Sequence, residues 1–382
     1  MAAAEDALGD ALVAALESWP RAGVPDNPDA WLLAAARRQL IDAARHAKVE
    51  TSAAPGLELI VAQARGNAAI DTTFPDERLK LLFVCAHPAI DEAARTALML
   101  QTVLGLDAAR IASAFLVSPT TMSQRLVRVK ARIREAGIRF EVPEPPELPS
   151  RVETVLEAIY AAFGSGWEDV AAGADPRRRG LAEEAIWLGR LVAQLLPDEP
   201  EALGLLALML HCEARRPARR GPGGGYVPLS LQDVALWARP MVEEAEEVLA
   251  TASLAGRPGR FQLEAAIQSA HARRIVTGRT DWDAIALLYE GLLLCAATIG
   301  ARVGHAAALA EVRGADAGLA AIEAIPRESI ATYQPYWALR AHLLKRLGRD
   351  AEATRAFERA IGLSEDRAVR EFLVTAAQAP SS

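Results

Sequence analysis

Apolar residues recur at three- and four-residue spacing along almost the whole chain, and no segment alternates convincingly between apolar and polar positions. That spacing lines one face of an α-helix, whereas a half-buried strand needs a period of two. Val, Ile and Thr are scattered rather than gathered into runs, so the chain is read as all-α. Apolar residues make up 51% of the sequence but aromatics only 5%, and alanine carries much of the difference, which favours closely packed helices. At 382 residues there is room for two or three domains. The most continuous apolar run, Ala202 to Leu210, falls well short of the roughly 20 residues that cross a bilayer, so no membrane span is expected. Glu5, Asp6 and Asp10 precede the first basic residue, Arg21. That is not the start of a secretory signal, and a cytoplasmic location is expected. The formal charge of -7 argues against a coat of basic residues.

Proline, glycine and small polar residues divide the chain. Residues 1–48 form a first helical piece, in which Leu8, Leu12, Ala15, Leu16 and Trp19 share one stripe. A second helix there follows Asn27-Pro28, a capping residue and a helix-starting proline. Residues 49–75 read as a linker and 76–140 as a second helical piece. FEVPEPPELP, within 140–149, has four prolines and is expected to be an extended spacer over 141–150. Residues 151–382 hold a long series of helices, including one expected over 230–252, interrupted by RRPARRGPGGG, which is expected to be a flexible loop over 215–228. Near the end, Gly314, Ala317 and Ile322 correspond to Gly348, Ala351 and Ala356 at an offset of 34 residues. That offset is the tetratricopeptide period, although generic helical hairpins produce the same spacing.

The most informative stretch is Asp91 to Phe140. Its pattern gives a helix over Asp91 to Leu104, a second over Asp107 to Leu116, a turn at Val117-Ser118-Pro119 and a third helix over Thr120 to Ala136, the plan of a helix-turn-helix. On the third helix Met122, Leu126, Val129 and Ile133 form the buried face, and Thr121, Gln124, Arg125, Arg128 and Arg132 lie about 90° around it. Thr120 and Thr121 open the helix. Hydroxyl and amide groups so placed can reach base edges in the major groove, while arginines bind phosphate or guanine.

Leu106 to Ala112, followed by Val117 to Lys130, resembles region 4 of bacterial RNA polymerase sigma factors. AEDALGDALVAALESWP and NPDAWLLAAARRQLIDAARH resemble parts of region 2, the clamp-binding helix and the promoter-melting helix. DERLKLLFVCAHPAI, IRFEVP, LPDEPEALGLLALMLHCEARRPAR and LGRDAEATRAFERAI are similar to the extracytoplasmic-function group that carries a large tetratricopeptide-like C-terminal extension. The resemblance implies that Thr121, Gln124, Arg125 and Arg128 face the upstream promoter element, with Arg132 on its phosphates. It implies that Asn27, Trp31, Arg37, Arg38, Asp42 and Arg45 hold the melted element, and that Asp6 and Asp10 face the polymerase clamp. Arg38, Asp42 and Arg45 also fit a surface salt-bridge stripe. Against the family pattern the first region 2 helix, about 25 to 30 residues long, is expected to be missing, and Gly9 replaces a larger polar residue.

Core RNA polymerase, promoter DNA and a regulatory protein at the C-terminal piece are the partners implied, with no cofactor. Cys85, Cys212 and Cys295 are odd in number and far apart, so spacing assembles neither a disulfide framework nor a zinc site, and all three are expected to be buried thiols. Cys85 and His87 are too few to form a coordination shell. No phosphate loop, carboxylate pair or nucleophile motif stands out, and the chain is not read as an enzyme. Two rival readings remain: a helix-turn-helix regulator without sigma activity, and a helical-repeat adaptor.

Overall fold

The computed structural model describes residues 74–135, 137, 141–168, 176–326 and 330–379. Glu141 apart, these belong to one of two units into which the chain divides, Ile70–Ile138 with Val142–Ser382. They form helices joined by turns and short 3-10 segments, with no strand among them beyond an isolated antiparallel bridge between Arg220 and Tyr226. The all-α expectation therefore holds for the described residues. None of their helices is long and apolar enough to cross a membrane.

Four helices come first: α1 (Glu77–Cys85), α2 (Glu92–Thr102), α3 (Ala108–Ala114) and α4 (Pro119–Glu135). Short polar side chains start three of them by accepting N–H groups that lack intrahelical partners. Asp76 caps Arg78 and Leu79, Asp107 caps Arg110 at 2.9 Å, and Ser118 caps Thr121 at 3.1 Å.

The proline-rich segment is not an extended spacer. Pro145–Glu147 is a 3-10 turn that runs directly into α5 (Leu148–Glu168). Pro145 and Pro146 open the turn and Pro149 falls in the first turn of α5, positions where a missing N–H breaks no bond. Glu144 and Glu147 close a reciprocal capping box. Leu148 is buried, and one apolar core runs through it: Leu82, Phe83, Met99, Leu100, Met122 and Leu126 join Val155 and Ile159 of α5 and Leu205 and Met209 beyond it.

The remaining helices are α6 (Pro176–Leu195), α7 (Pro200–Ala214), α8 (Arg239–Ser253), α9 (Arg260–Ala272), the single turn α10 (Arg274–Thr277), α11 (Trp282–Cys295), α12 (Ile299–Arg313), α13 (Ala315–Glu323), α14 (Gln334–Arg346), α15 (Asp350–Leu363) and α16 (Arg367–Gln378). Successive helices pack pairwise, as α5 with α6, α12 with α13, and α14 with α15. Gly314 and Gly348 both take positive φ in the turns between paired helices, where an L side chain would be strained. Ala353, Ala356, Phe357 and Ala360 are buried on α15.

Two expectations for the middle of this array fail. The helix expected over 230–252 begins only at Arg239, because Pro240 fits its first turn and Trp237, buried against Ala214, Ala218 and Val242, anchors the non-helical approach. The loop at 215–228 is not free: Arg220 pairs with Asp366, and Tyr226 packs edge-on to Phe372 with ring centroids 5.5 Å apart. These contacts tie the segment after α7 to the last helix. The cysteines also differ from expectation, since only Cys85 is buried, Cys212 is half-buried and Cys295, at the end of α11 beside the exposed Leu294, faces out.

Candidate nucleic-acid interface

The turn between α3 and α4 positions the candidate interface. Leu116 N–H donates to the Ser113 carbonyl at 3.1 Å and Val117 N–H to the Ala112 carbonyl at 3.0 Å, while Leu116 takes φ 53°. This pair of bonds is a Schellman cap with leucine where glycine is usual. It ends α3 two residues earlier than the sequence pattern suggests. Ser118 then caps α4 by accepting the Thr121 N–H.

On α4, Met122, Leu126, Val129 and Ile133 are all buried, at the four positions assigned from spacing. Thr120, Gln124, Arg125, Arg128 and Arg132 are exposed, so the face is presented outward. Thr121 behaves differently: it is half-buried, and its hydroxyl lies 2.8 Å from Ser118 Oγ, so it helps hold the turn. An Arg128 guanidinium nitrogen stands 3.5 Å from Gln124 Oε1, one helical turn away. Burial lowers the Lys130 ammonium below the ordinary lysine range. Arg134, which sequence reasoning did not single out, is also exposed in the last turn of α4, where cations suit the helix dipole.

The electrostatics of α4 differ from those of the array. Elsewhere many arginines are matched to carboxylates, including Arg78 to Glu184, Arg190 to Glu244, Arg260 to Glu264 and Arg346 to Glu311. Among the described residues no carboxylate pairs with Arg125, Arg128, Arg132 or Arg134. A single helix thus presents an unneutralised basic surface on a chain of net negative charge. Asn27, Trp31, Arg37, Arg38, Asp42, Arg45, Asp6 and Asp10 lie outside the described residues.

The CAHP motif contributes no comparable surface. Cys85 is buried with its sulfur 3.8 Å from Thr102 Oγ1, and burial pushes its thiol up to about 11. His87 Nδ1 accepts the Ala89 N–H at 3.1 Å.

Residues 151–253, from the first turn of α5 to the end of α8, match a family described as a family of unknown function, DUF6596. The chain is 38% identical over 374 residues to a Rhizobium meliloti (strain 1021) protein described as uncharacterized protein R00370, a match covering 97% of this chain and 88% of the relative. No solved structure matches the chain.

Proposed function

The chain belongs to one family with uncharacterized protein R00370 of Rhizobium meliloti, and we propose that it is a promoter-recognising protein, an alternative sigma factor. In this reading α4 enters the major groove of the upstream promoter element. Gln124 and Thr120 reach base edges while Arg125, Arg128 and Arg132 bind phosphate or guanine. The observation that carries it is the exposed, unneutralised arginine face of α4, held outward by a buried stripe and a capped turn.

The resemblance of the flanking sequence to sigma regions 2 and 4 supports the step from DNA binding to polymerase recruitment. Core RNA polymerase and promoter DNA are the partners, in the cytoplasm, and the work is binding rather than bond chemistry. The paired helices α12–α13 and α14–α15, with glycine turns 34 residues apart, support a tetratricopeptide-like organisation for the end of the array. That array would regulate the DNA-binding part, with which it shares a core, and would offer a surface to a regulatory protein. Capture of core polymerase by the purified chain, together with transcription from fragments it selects out of genomic DNA, tests the proposal. Selection of DNA without capture of polymerase leaves a helix-turn-helix regulator, and capture of neither leaves an adaptor.

A further inference from the structure

The outward side of α4 has two flanks of different chemistry. At about 100° per residue, Arg125, Arg128 and Arg132 fall on one flank, within about 60° of one another, and Thr120, Ser123, Val127 and Ala131 fall on the other, within about 80°. Gln124 stands between the two. The line between the flanks runs opposite the stripe of Met122, Leu126, Val129 and Ile133 that α4 buries. Thr120, Ser123 and Val127 are exposed, Ala131 is half-buried, and none of the four carries a charge.

Val127 departs from the pattern of the helix. The other large apolar side chains of α4 are buried, whereas Val127 is 68% exposed in the middle of a helix of 17 residues. A β-branched residue in that position forms helix less readily than arginine, lysine or glutamine, and left in water it contributes no burial. Neither the helix nor the core of the free protein therefore favours valine there. A lone exposed apolar side chain is ordinary on a protein surface, but this one sits among groups suited to reading bases. Ser123 and Gln124 lie one turn before it and Thr120 two turns before it, within about 20° of its own direction. Arg128 follows it, with a guanidinium nitrogen 3.5 Å from Gln124 Oε1.

The major groove offers donors and acceptors at every base pair but a single kind of apolar group, the C5-methyl of thymine. Contact between that methyl and the two methyls of a valine takes both out of water. We propose that Val127 is a specificity-determining residue that packs on the methyl of a thymine in the bound duplex, an inference that rests on the reading in which α4 enters the major groove. The two flanks then divide the work. The arginine flank sets affinity and its dependence on salt, and the uncharged flank selects the base without changing the charge bound.

Replacing thymine by deoxyuridine, which lacks only the methyl, tests the contact. The full chain selects a duplex from genomic DNA, and each thymine of that duplex is replaced singly. At one thymine the replacement should weaken binding of the wild-type chain about fourfold, the effect of one buried methyl, and should leave binding of Val127→Ala unchanged. Val127→Ala should bind the thymine duplex more weakly by a similar factor, with the same salt slope as wild type, because no phosphate contact is lost. Its thermal unfolding should not be lowered, since the side chain is exposed and alanine suits a helix. If every replacement weakens the two proteins equally, or if Val127→Ala binds the thymine duplex as tightly as wild type, the methyl contact is wrong while DNA binding by α4 stands. If the chain selects no duplex, the reading of α4 fails and this inference fails with it.

Discussion

The guanidinium of Arg151, a residue only 4% exposed, donates to the carbonyl of Phe83 at 3.2 Å. Phe83 lies in the last turn of α1, where carbonyls have no intrahelical donor, and Arg151 lies in the first turns of α5. A second nitrogen of the same guanidinium donates to Glu147 at 3.1 Å. One side chain therefore satisfies the end of the first helix and ties it to the entrance of the array.

Arg151→Met keeps an apolar stem but leaves that buried carbonyl without its donor. Leaving such a group unsatisfied costs about 1 to 3 kcal/mol. Denaturant unfolding of the full chain should show a loss in that range, and an unchanged midpoint would mean that the interaction adds nothing to stability.

Much of the segment from α3 to α4 was legible because its information is local. Met122, Leu126, Val129 and Ile133 repeat at helical spacing, and Asp107 and Ser118 sit where helix caps belong. Leu116 was not legible, since the usual mark of a left-handed cap is glycine and the apolar spacing runs on through it. The segment at 215–228 misleads for the opposite reason. Its Gly-Pro-Gly-Gly-Gly run signals freedom, while the contacts that fix it, Arg220 to Asp366 and Tyr226 to Phe372, join positions far apart in sequence.

The shared core sets the outcome of truncation. A fragment ending at Pro149 lacks almost all of α5, whose Val155, Leu156 and Ile159 belong to the same core as Leu82, Phe83 and Met99. Each uncovered side chain of this kind costs roughly 1.5 to 3 kcal/mol. The fragment should bind a hydrophobic dye and unfold without cooperativity, while one extended through α9 should not. Cooperative unfolding of the short fragment would show that the helix-turn-helix stands without the array.

Leu116 is 53% exposed yet holds φ 53°. The left-handed conformation costs a non-glycine residue roughly 1 to 2 kcal/mol, and an exposed side chain returns little of that. Leu116→Gly should raise the melting temperature and Leu116→Val should lower it. The reverse order would mean that the side chain itself stabilises the turn.

His211 is buried on α7 without a hydrogen bond among the described residues, its Nε2 3.6 Å from Glu246 Oε1. Burial, and then the nearby Arg215, lower its pKa from 6.5 to about 4. The unfolded chain therefore takes up this proton at higher pH than the folded one. The His211 contribution is intact above about pH 6.5 and declines toward pH 4, at up to about 1.4 kcal/mol per pH unit. His211→Leu should flatten the acid side of the stability profile without cost at neutral pH. An equally steep profile in the variant would assign the acid sensitivity elsewhere.

If the arginine face of α4 binds DNA, the salt dependence of the affinity reports it. For the full chain on a duplex it selects, the logarithm of affinity should fall linearly with the logarithm of salt concentration. Removing one phosphate-binding side chain should flatten the slope by about 0.9, so Arg125→Ala/Arg128→Ala, with helical content intact, should bind more weakly and flatten it by about 1.8. Unchanged affinity and slope in the folded double variant would mean that these arginines do not hold DNA.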